Sequence, residues 1–355
     1  MVRSLLVGMG ATGLLASGVA LADNHDHGHK VNFEFRGALT SADNGWSGDD
    51  AEGSLGLGAE RAKINFSGDL DKGVSYRFRL NLASDMYPHT VSTDDDGAVS
   101  GVSHGAHMVE YGYLKADLGM FKVLVGKSKV KQGGWDIRNN GTWVLNSNLR
   151  DPHTYGALGF EEYASMTSLH FDVAGELSVQ LLNDEDADGK AGLTYNLEWL
   201  GNAMGGITPL FQYGAYQGGD NTHMDIGAAY KAGAISVAFD YYTHTVKDTS
   251  TATNISVGAE YGMGAYTPFF HYDAYNVEEE VEGDAEAPDF NNLLLGGLTH
   301  DNVTRMTIGT WVNRWGDHFR PFVAVYMNSA KFGTSAEDAE DRSSQDIKIG
   351  VAGQW

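Results

Sequence analysis

Eleven of the 24 basic residues fall within about a third of the chain. Arg36, Arg61, Lys63, Arg77, Arg79 and Lys122 come first, and Lys127, Lys129, Lys131, Arg138 and Arg150 follow. The first six lie in runs that alternate with apolar residues, so the cations share one face of each run. Lys348, near the C-terminus, has the same placement. Cations on the wall of a water-filled passage lower the barrier for anions. The same charges could equally solvate such a wall and pair with acids of an inserted loop, and the sequence leaves both readings open. Other chemistry is poorly supplied. The chain has no Cys, no GxSxG, no HExxH and no P-loop, and His271 and His300 have no obvious serine partner in sequence. No enzyme activity, cofactor or metal is expected. His25, His27 and His29 read as a flexible N-terminal tail, their alternate spacing giving a metal no fixed geometry.

The acids are distributed differently. They cluster in Asp49, Asp50 and Glu52; in Asp184, Glu185, Asp186 and Asp188; in Glu278 to Glu280, Glu282 and Asp284; and in Glu337, Asp338, Glu340 and Asp341. A net charge of -23 argues against nucleic acid as a partner. The first 22 residues, MVRSLLVGMGATGLLASGVALA, carry one basic residue, an apolar centre and a small-residue end, which reads as a secretory signal peptide cleaved after Ala22. Residues 23–29 form the His-rich tail, and residues 30–355 are expected to form one domain.

The elements that must position the cations are strands. Val74, Tyr76, Phe78, Leu80 and Leu82 share one face, with Ser75, Arg77, Arg79 and Asn81 on the other. The same period of two recurs at Met224, Ile226, Ala228 and Tyr230, at Ile255, Val257, Ala259 and Tyr261, and at Pro321, Val323, Val325 and Met327. The spacing predicts sixteen strands, with 14 to 18 possible, each about ten residues long as a tilted crossing of a bilayer requires. Gly-rich turns alternate with connections that are longer or acidic. Aromatics recur at strand ends (Tyr195, Trp199, Tyr213, Tyr216, Tyr230, Tyr241, Tyr261, Tyr272 and Tyr275), as in an interfacial girdle. ITPLFQYGAY (207–216), YTPFFHYDAY (266–275) and RPFVAVY (320–326) form a weak repeat with proline near each strand start. The chain ends in QDIKIGVAGQW, a strand with one apolar face and a terminal Trp355. An exposed terminal strand would be a sticky edge in a soluble protein, whereas a closed barrel pairs both edges. The fold class is therefore all-β, a closed transmembrane antiparallel β-barrel.

AKINFSGDLDKGVSYRFRLNL (62–82) resembles the second hairpin of Gram-negative general porins, and VEYGYLKADLGMFKVLVGKSKV (109–130) the stretch that precedes their third loop. FKVLVGKSKV is also similar to the phosphate-selective O/P-type porins. The resemblance implies an outer-membrane channel for passive diffusion of small hydrophilic solutes or anions. It further implies a homotrimer set in outer-membrane lipid and lipopolysaccharide, and a C-terminal strand read by barrel-assembly machinery. It implies an inward-folded third loop at Lys129–Tyr155, facing a wall cluster of Arg61, Lys63, Arg77 and Arg79. The acidic PEFGG-type segment of general-porin loops is absent. Two other readings stand beside it: a barrel with a structural or adhesion role through its acidic loops, and a soluble exported β-sandwich.

Overall fold

The computed structural model describes residues 28–42, 54–82, 92–93, 99–101, 109–135, 163–185, 191–216, 221–246, 250–279, 302–314, 318–332 and 340–354. The strands are β1 (Lys30–Ala42), β2 (Ser54–Asp71), β3 (Val74–Asn81), β4 (Ser92–Thr93), β5 (Val99–Gly101), β6 (Val109–Asp117), β7 (Phe121–Lys129), β8 (Tyr163–Asp172) and β9 (Gly175–Glu185). They continue as β10 (Ala191–Gly201), β11 (Ile207–Tyr216), β12 (Asn221–Ala232), β13 (Ile235–Val246), β14 (Ser250–Tyr261), β15 (Tyr266–Glu279), β16 (Asn302–Val312), β17 (Phe319–Phe332) and β18 (Glu340–Gln354).

Sixteen of these close into one antiparallel barrel, each strand pairing with its neighbours in the chain, and β4 and β5 form a separate two-stranded ribbon. The count agrees with the sixteen strands read from the sequence. Closure is made by β1 against β18, from Glu34 opposite Gln354 to Ala42 opposite Asp346. Every edge of the sixteen barrel strands is thereby paired, the condition for backbone to cross lipid. No helix among the described residues is long and apolar enough to cross a membrane.

The burial pattern is that of a soluble protein turned inside out. Ile226, Phe239, Ile255, Ile308, Val323, Ile347 and Ile349 are exposed on the outer face, whereas Asn196, Glu198, Gln212, Asp225, Asn254 and Asp273 are buried inside. The alternation read at Met224–Tyr230, Ile255–Tyr261 and Pro321–Met327 therefore names the outward face correctly. Two members of the expected girdle do not belong to it. Tyr216 and Tyr275 are buried on the lumen side, because each falls on the inward parity of its strand, with Gln212 and Asp273.

Both termini and the short connections (72–73, 118–120, 173–174, 202–206, 233–234, 262–265 and 313–318) lie at one end. At the other end lie the strand ends joined in sequence by 43–53, 82–108, 130–162, 186–190, 217–220, 247–249, 280–301 and 333–339. The expected contrast in length fails at 217–220 and 247–249, which are as short as the turns opposite.

An apolar cluster inside the lumen spans the closing seam. Ala38 of β1, Ala352 of β18, Phe322, Ala324 and Tyr326 of β17 and Trp311 of β16 pack together, with Phe269 of β15 against them. Trp311 and Phe322 meet edge to face, their centroids 5.2 Å apart, the arrangement ring quadrupoles favour. Gly350 makes room for this. A Cβ there would lie 2.6 Å from the Phe322 ring and 2.3 Å from the Gly37 carbonyl oxygen.

Candidate functional site: the basic wall of the lumen

The wall is built on β2, β3, β6 and β7, and two bulges shape it. The β1–β2 ladder passes from Arg36–Arg61 to Gly37–Ala59, skipping Glu60. The β3–β6 ladder passes from Arg79–Tyr111 to Leu80–Val109, skipping Glu110. A bulge inserts one residue and re-aims the strand beyond it. Here it turns Glu110 into the lumen, where the carboxylate meets Lys63 and approaches Arg79 Nε at 2.6 Å. Arg79 also faces Glu34 at 3.9 Å, and Asn65 donates to Glu34 at 2.9 Å. All five side chains are buried. This is a charge-balanced network of two cations and two carboxylates, as burial of ions requires.

Arg77 is different. It donates to Asn65 Oδ1 at 3.1 Å and lies over the Tyr111 ring, 4.4 Å from its centroid. Arg79 lies over the same ring at 4.2 Å. Lys115 follows in β6, in register with Ser75 and Leu124, and Lys122 in β7, in register with His170. Among the described residues, no carboxylate lies within ion-pair distance of Arg77, Lys115 or Lys122. Three cations thus run across neighbouring strands toward the short-turn end, with Asp117 opposite Lys122 in the β6–β7 register but, among the described residues, no carboxylate at ion-pair distance of any of them.

Facing them, residues after β7 turn inward along the opposite wall. Lys131 N–H donates to Gln180 Oε1 at 2.7 Å, and Gln180 Nε2 donates to the Lys129 carbonyl at 3.0 Å. Asn196 donates to the Lys131 carbonyl at 2.6 Å. Tyr216 O–H donates to Gln132 at 2.7 Å. Gly134 N–H reaches Gln212 at 3.0 Å and Trp135 N–H reaches Asp240 at 3.0 Å. The segment is thereby tied to β9, β10, β11 and β13 in sequence. Gly134 has φ 70, and a Cβ on it would stand 2.5 Å from the Asp240 carboxyl group; only glycine meets both demands. Lys131 pairs with Glu198 at 3.3 Å, and Gln212 donates to the same carboxylate at 2.7 Å. Between this segment and the wall lies a cavity of about 270 Å³, lined by Arg77, Tyr111, Tyr113, Lys115, Lys131 and His170 among others.

The residues singled out in the sequence fall into several places. Lys63 and Arg79 are buried in the paired network, and Arg77 and Lys131 line the cavity. Lys122 shares their face of the wall. Arg36 lies opposite Arg61 on one side and Ala352 on the other; of Arg61 the structure gives the backbone register alone. Lys348 stands on the seam, its ammonium 5.1 Å from the Tyr326 ring centroid. Lys127 and Lys129 fall on the other parity of β7, in register with Ser165 and Tyr163, although Lys129 borders the cavity. Arg138, Arg150 and the rest of the expected inward loop beyond residue 135 lie outside the described residues. His29 is held by Tyr76 O–H at 3.1 Å; His25 and His27 are outside the described residues.

Sequence reasoning missed Glu110, Tyr111, Tyr113 and Lys115. An apolar count puts Val109, Tyr111 and Tyr113 outside and Lys115 with them; the bulge at Glu110 puts the last three inside. The available signal was Leu114, which takes the outward parity and is exposed. The serine partner that the sequence does not show for His271 is supplied by pairing across strands, and His170 meets a serine two residues away on its own strand. Ser256 Oγ lies 2.8 Å from His271 Nε2. Ser168 Oγ lies 3.1 Å from His170 Nε2, whose Nδ1 is 3.1 Å from Glu176.

Residues 9–352 match the family model described as Gram-negative porin. No curated protein is significantly similar to the chain. Among solved structures, the anion-selective porin from Comamonas acidovorans shares 12% identity at a TM-score of 0.60, covering 93% of this chain and 100% of its own. Outer-membrane expressed OmpT of Vibrio cholerae shares 14% at 0.59, covering 94% and 99%. The outer membrane channel DcaP of Acinetobacter baumannii shares 12% at 0.59, covering 92% and 98%. At such identities these likenesses report the fold, a channel architecture, and the family match carries the assignment. With its closed sixteen-stranded barrel, apolar exterior and polar lumen, the chain belongs to the Gram-negative porins, outer-membrane channels.

Proposed function

We propose that this porin passes small hydrophilic solutes passively and prefers anions. The observation that carries the reading is the trio Arg77, Lys115 and Lys122, inward-facing cations with no ion-pairing carboxylate among the described residues. A neutralised pair contributes little field at a distance, whereas an uncompensated cation raises the local concentration of anions. Lys63 and Arg79, which the resemblance points to, are compensated by Glu110 and Glu34 and serve the wall's architecture. The Comamonas acidovorans porin, which bears a similar fold, is described as anion-selective.

The Ser168–His170–Glu176 and Ser256–His271 contacts are read as structural. Ser256 is 2% exposed and Ser168, although it borders the cavity, only 1%, and His271 Nε2 is shared between Ser256 and Asp273. The assembly is read as a homotrimer, supported by the Vibrio cholerae OmpT structure described as a trimer form. The partners are outer-membrane lipid and lipopolysaccharide.

Reversal potentials of the reconstituted channel in a salt gradient test the reading. A potential of the sign that marks anion preference is expected; a cation preference would sink it. Liposome swelling with sugars of graded size is the companion measurement. Entry of small sugars is expected, and their exclusion would return a plugged barrel acting through its loops.

A further inference from the structure

The cavity between the basic wall and the inward segment is polar on one side and apolar on the other. Tyr111, Tyr113 and Lys115 alternate along β6 and border it, and Arg77 of β3 stands in register with Tyr113. The two tyrosine rings meet edge to face, their centroids 6.0 Å apart. Tyr113 packs against Leu124, Val130, Met166 and Leu182, an apolar cluster drawn from β7, β8, β9 and the residue that follows β7. Leu124 and Val130 border the cavity as well. Gly126 makes room for this arrangement. It pairs with Tyr113 across the β6–β7 ladder and with Met166 across the β7–β8 ladder. Its φ is 128, and a Cβ there would stand 2.8 Å from Tyr113 Cα and 3.1 Å from Tyr113 Cβ. The bare backbone at 126 thus leaves the Tyr113 side chain its place against the cluster.

The cationic side is held in position. Arg77 is fixed by its hydrogen bond to Asn65 and by the Tyr111 ring beneath it. Its remaining N–H donors have no partner among the described residues. A guanidinium offers a carboxylate two parallel hydrogen bonds, and Lys115 adds a second charge nearby. The carboxylates that border the cavity are engaged elsewhere. Glu198 meets Lys131 and Gln212, and Glu176 lies 3.1 Å from His170 Nδ1. A hydrated inorganic anion gains nothing from an aromatic and aliphatic wall. An anion that carries its own apolar ring buries that ring against the wall.

We propose that this cavity is a subsite for small aromatic monocarboxylates, with the carboxylate on Arg77 and Lys115 and the ring on Tyr113; this rests on the anion preference already proposed and names its solute class. The cavity, about 270 Å³, lies below the range of sites for drug-sized ligands and suits a single ring with its carboxylate. Aliphatic acids use the two cations alone. An aromatic ring adds an offset or edge-to-face contact with Tyr113.

The test is competition for the chloride current of the full-length mature channel in planar bilayers. The probes are sodium benzoate, cyclohexanecarboxylate and acetate, with benzyl alcohol as the uncharged aromatic. Benzoate should halve the current at a concentration about three- to tenfold below cyclohexanecarboxylate, the factor an aromatic pair contributes beyond its area. Acetate should need more than either, and benzyl alcohol should be without effect at the benzoate concentration. Tyr113→Leu keeps an apolar side chain and removes the ring, so it should bring benzoate to the level of cyclohexanecarboxylate. Equal inhibition by the three carboxylates in the parent channel would overturn the proposal, and that comparison needs no variant. A Tyr113→Leu channel in which benzoate keeps its advantage would overturn it too. The reversal potential in a potassium chloride gradient, with no aromatic present, separates the two readings. Equal inhibition with an anion-selective potential sinks the subsite alone, whereas a cation-selective potential sinks the anion preference and this solute class with it.

Discussion

Arg77→Gln separates a selectivity filter from a structural ion network. Arg77 is inward, half-buried and, among the described residues, without a carboxylate at ion-pair distance. An ion passing at ~7 Å in water feels one unit charge by about 0.6 kcal/mol, and screening in ~0.1 M salt halves this. The change acts with opposite sign on anion and cation, so the anion-to-cation permeability ratio should fall about two- to threefold at that salt. In ~0.01 M salt, where screening is weak, the fall should approach fivefold. Lys115→Gln should behave alike, and the two together should multiply. The control is the double change Arg79→Gln with Glu110→Gln. It removes one cation and one carboxylate from a network that is already buried and balanced, and it leaves Lys63 and Glu34 of opposite charge. The permeability ratio should then stay near that of the parent, although the barrel is less stable. Reversal potentials in planar bilayers at two salt concentrations decide the matter. A double variant that shifts the ratio as far as Arg77→Gln does, or an Arg77→Gln channel with unchanged ratio at low salt, would refute the division between paired and unpaired cations.

Other changes probe the scaffold. Trp311→Ala empties the centre of the seam cluster and should cost about 3–5 kcal/mol, the range for large aromatic truncations in packed interiors; urea unfolding in detergent measures it, and a midpoint equal to the parent's would show that the cluster does not hold the seam. Gly134→Ala should push residues 132–135 off the wall, since its Cβ collides with Asp240, and Asp240→Ala should loosen the same segment by removing the acceptor of Trp135 N–H, a contact worth about 1–3 kcal/mol when left unmade. Both should raise open-channel noise in single-channel recordings, and a quiet trace from both would argue that other anchors suffice. Deleting Trp355, which the sequence marks as the assembly end of the closing strand, should lower membrane yield while molecules that insert keep their conductance; normal yield would count against that role.

Much of the architecture was legible in the chain because a strand with water on one side and lipid on the other must alternate at every second residue. That local rule named Met224–Tyr230, Ile255–Tyr261 and Pro321–Met327 as outward runs, counted sixteen strands, and placed Arg77 and Arg79 together on an inner face. It failed where the ladder slips. Counting by twos from Val109 puts Tyr111, Tyr113 and Lys115 outside, and one extra residue at Glu110 reverses them. Tyr216 and Tyr275 looked like girdle residues because they are aromatic and near strand ends, but parity and not residue type decides which side a ring takes.

The sequence by itself determined that the chain closes into a barrel, which residues face lipid wherever the ladder runs without a bulge and the run is apolar, and that its cations gather in the first strands. These follow from the period of the chain and its composition, which neighbouring residues set. The tertiary structure alone decided which of those cations carry free charge. Lys63, Arg79 and Glu110 come from three strands, and Ser168 finds Glu176 through His170 across a ladder. A charge is silenced or left active by what stands within about 4 Å of it, and in an antiparallel barrel that neighbour is set by register across strands.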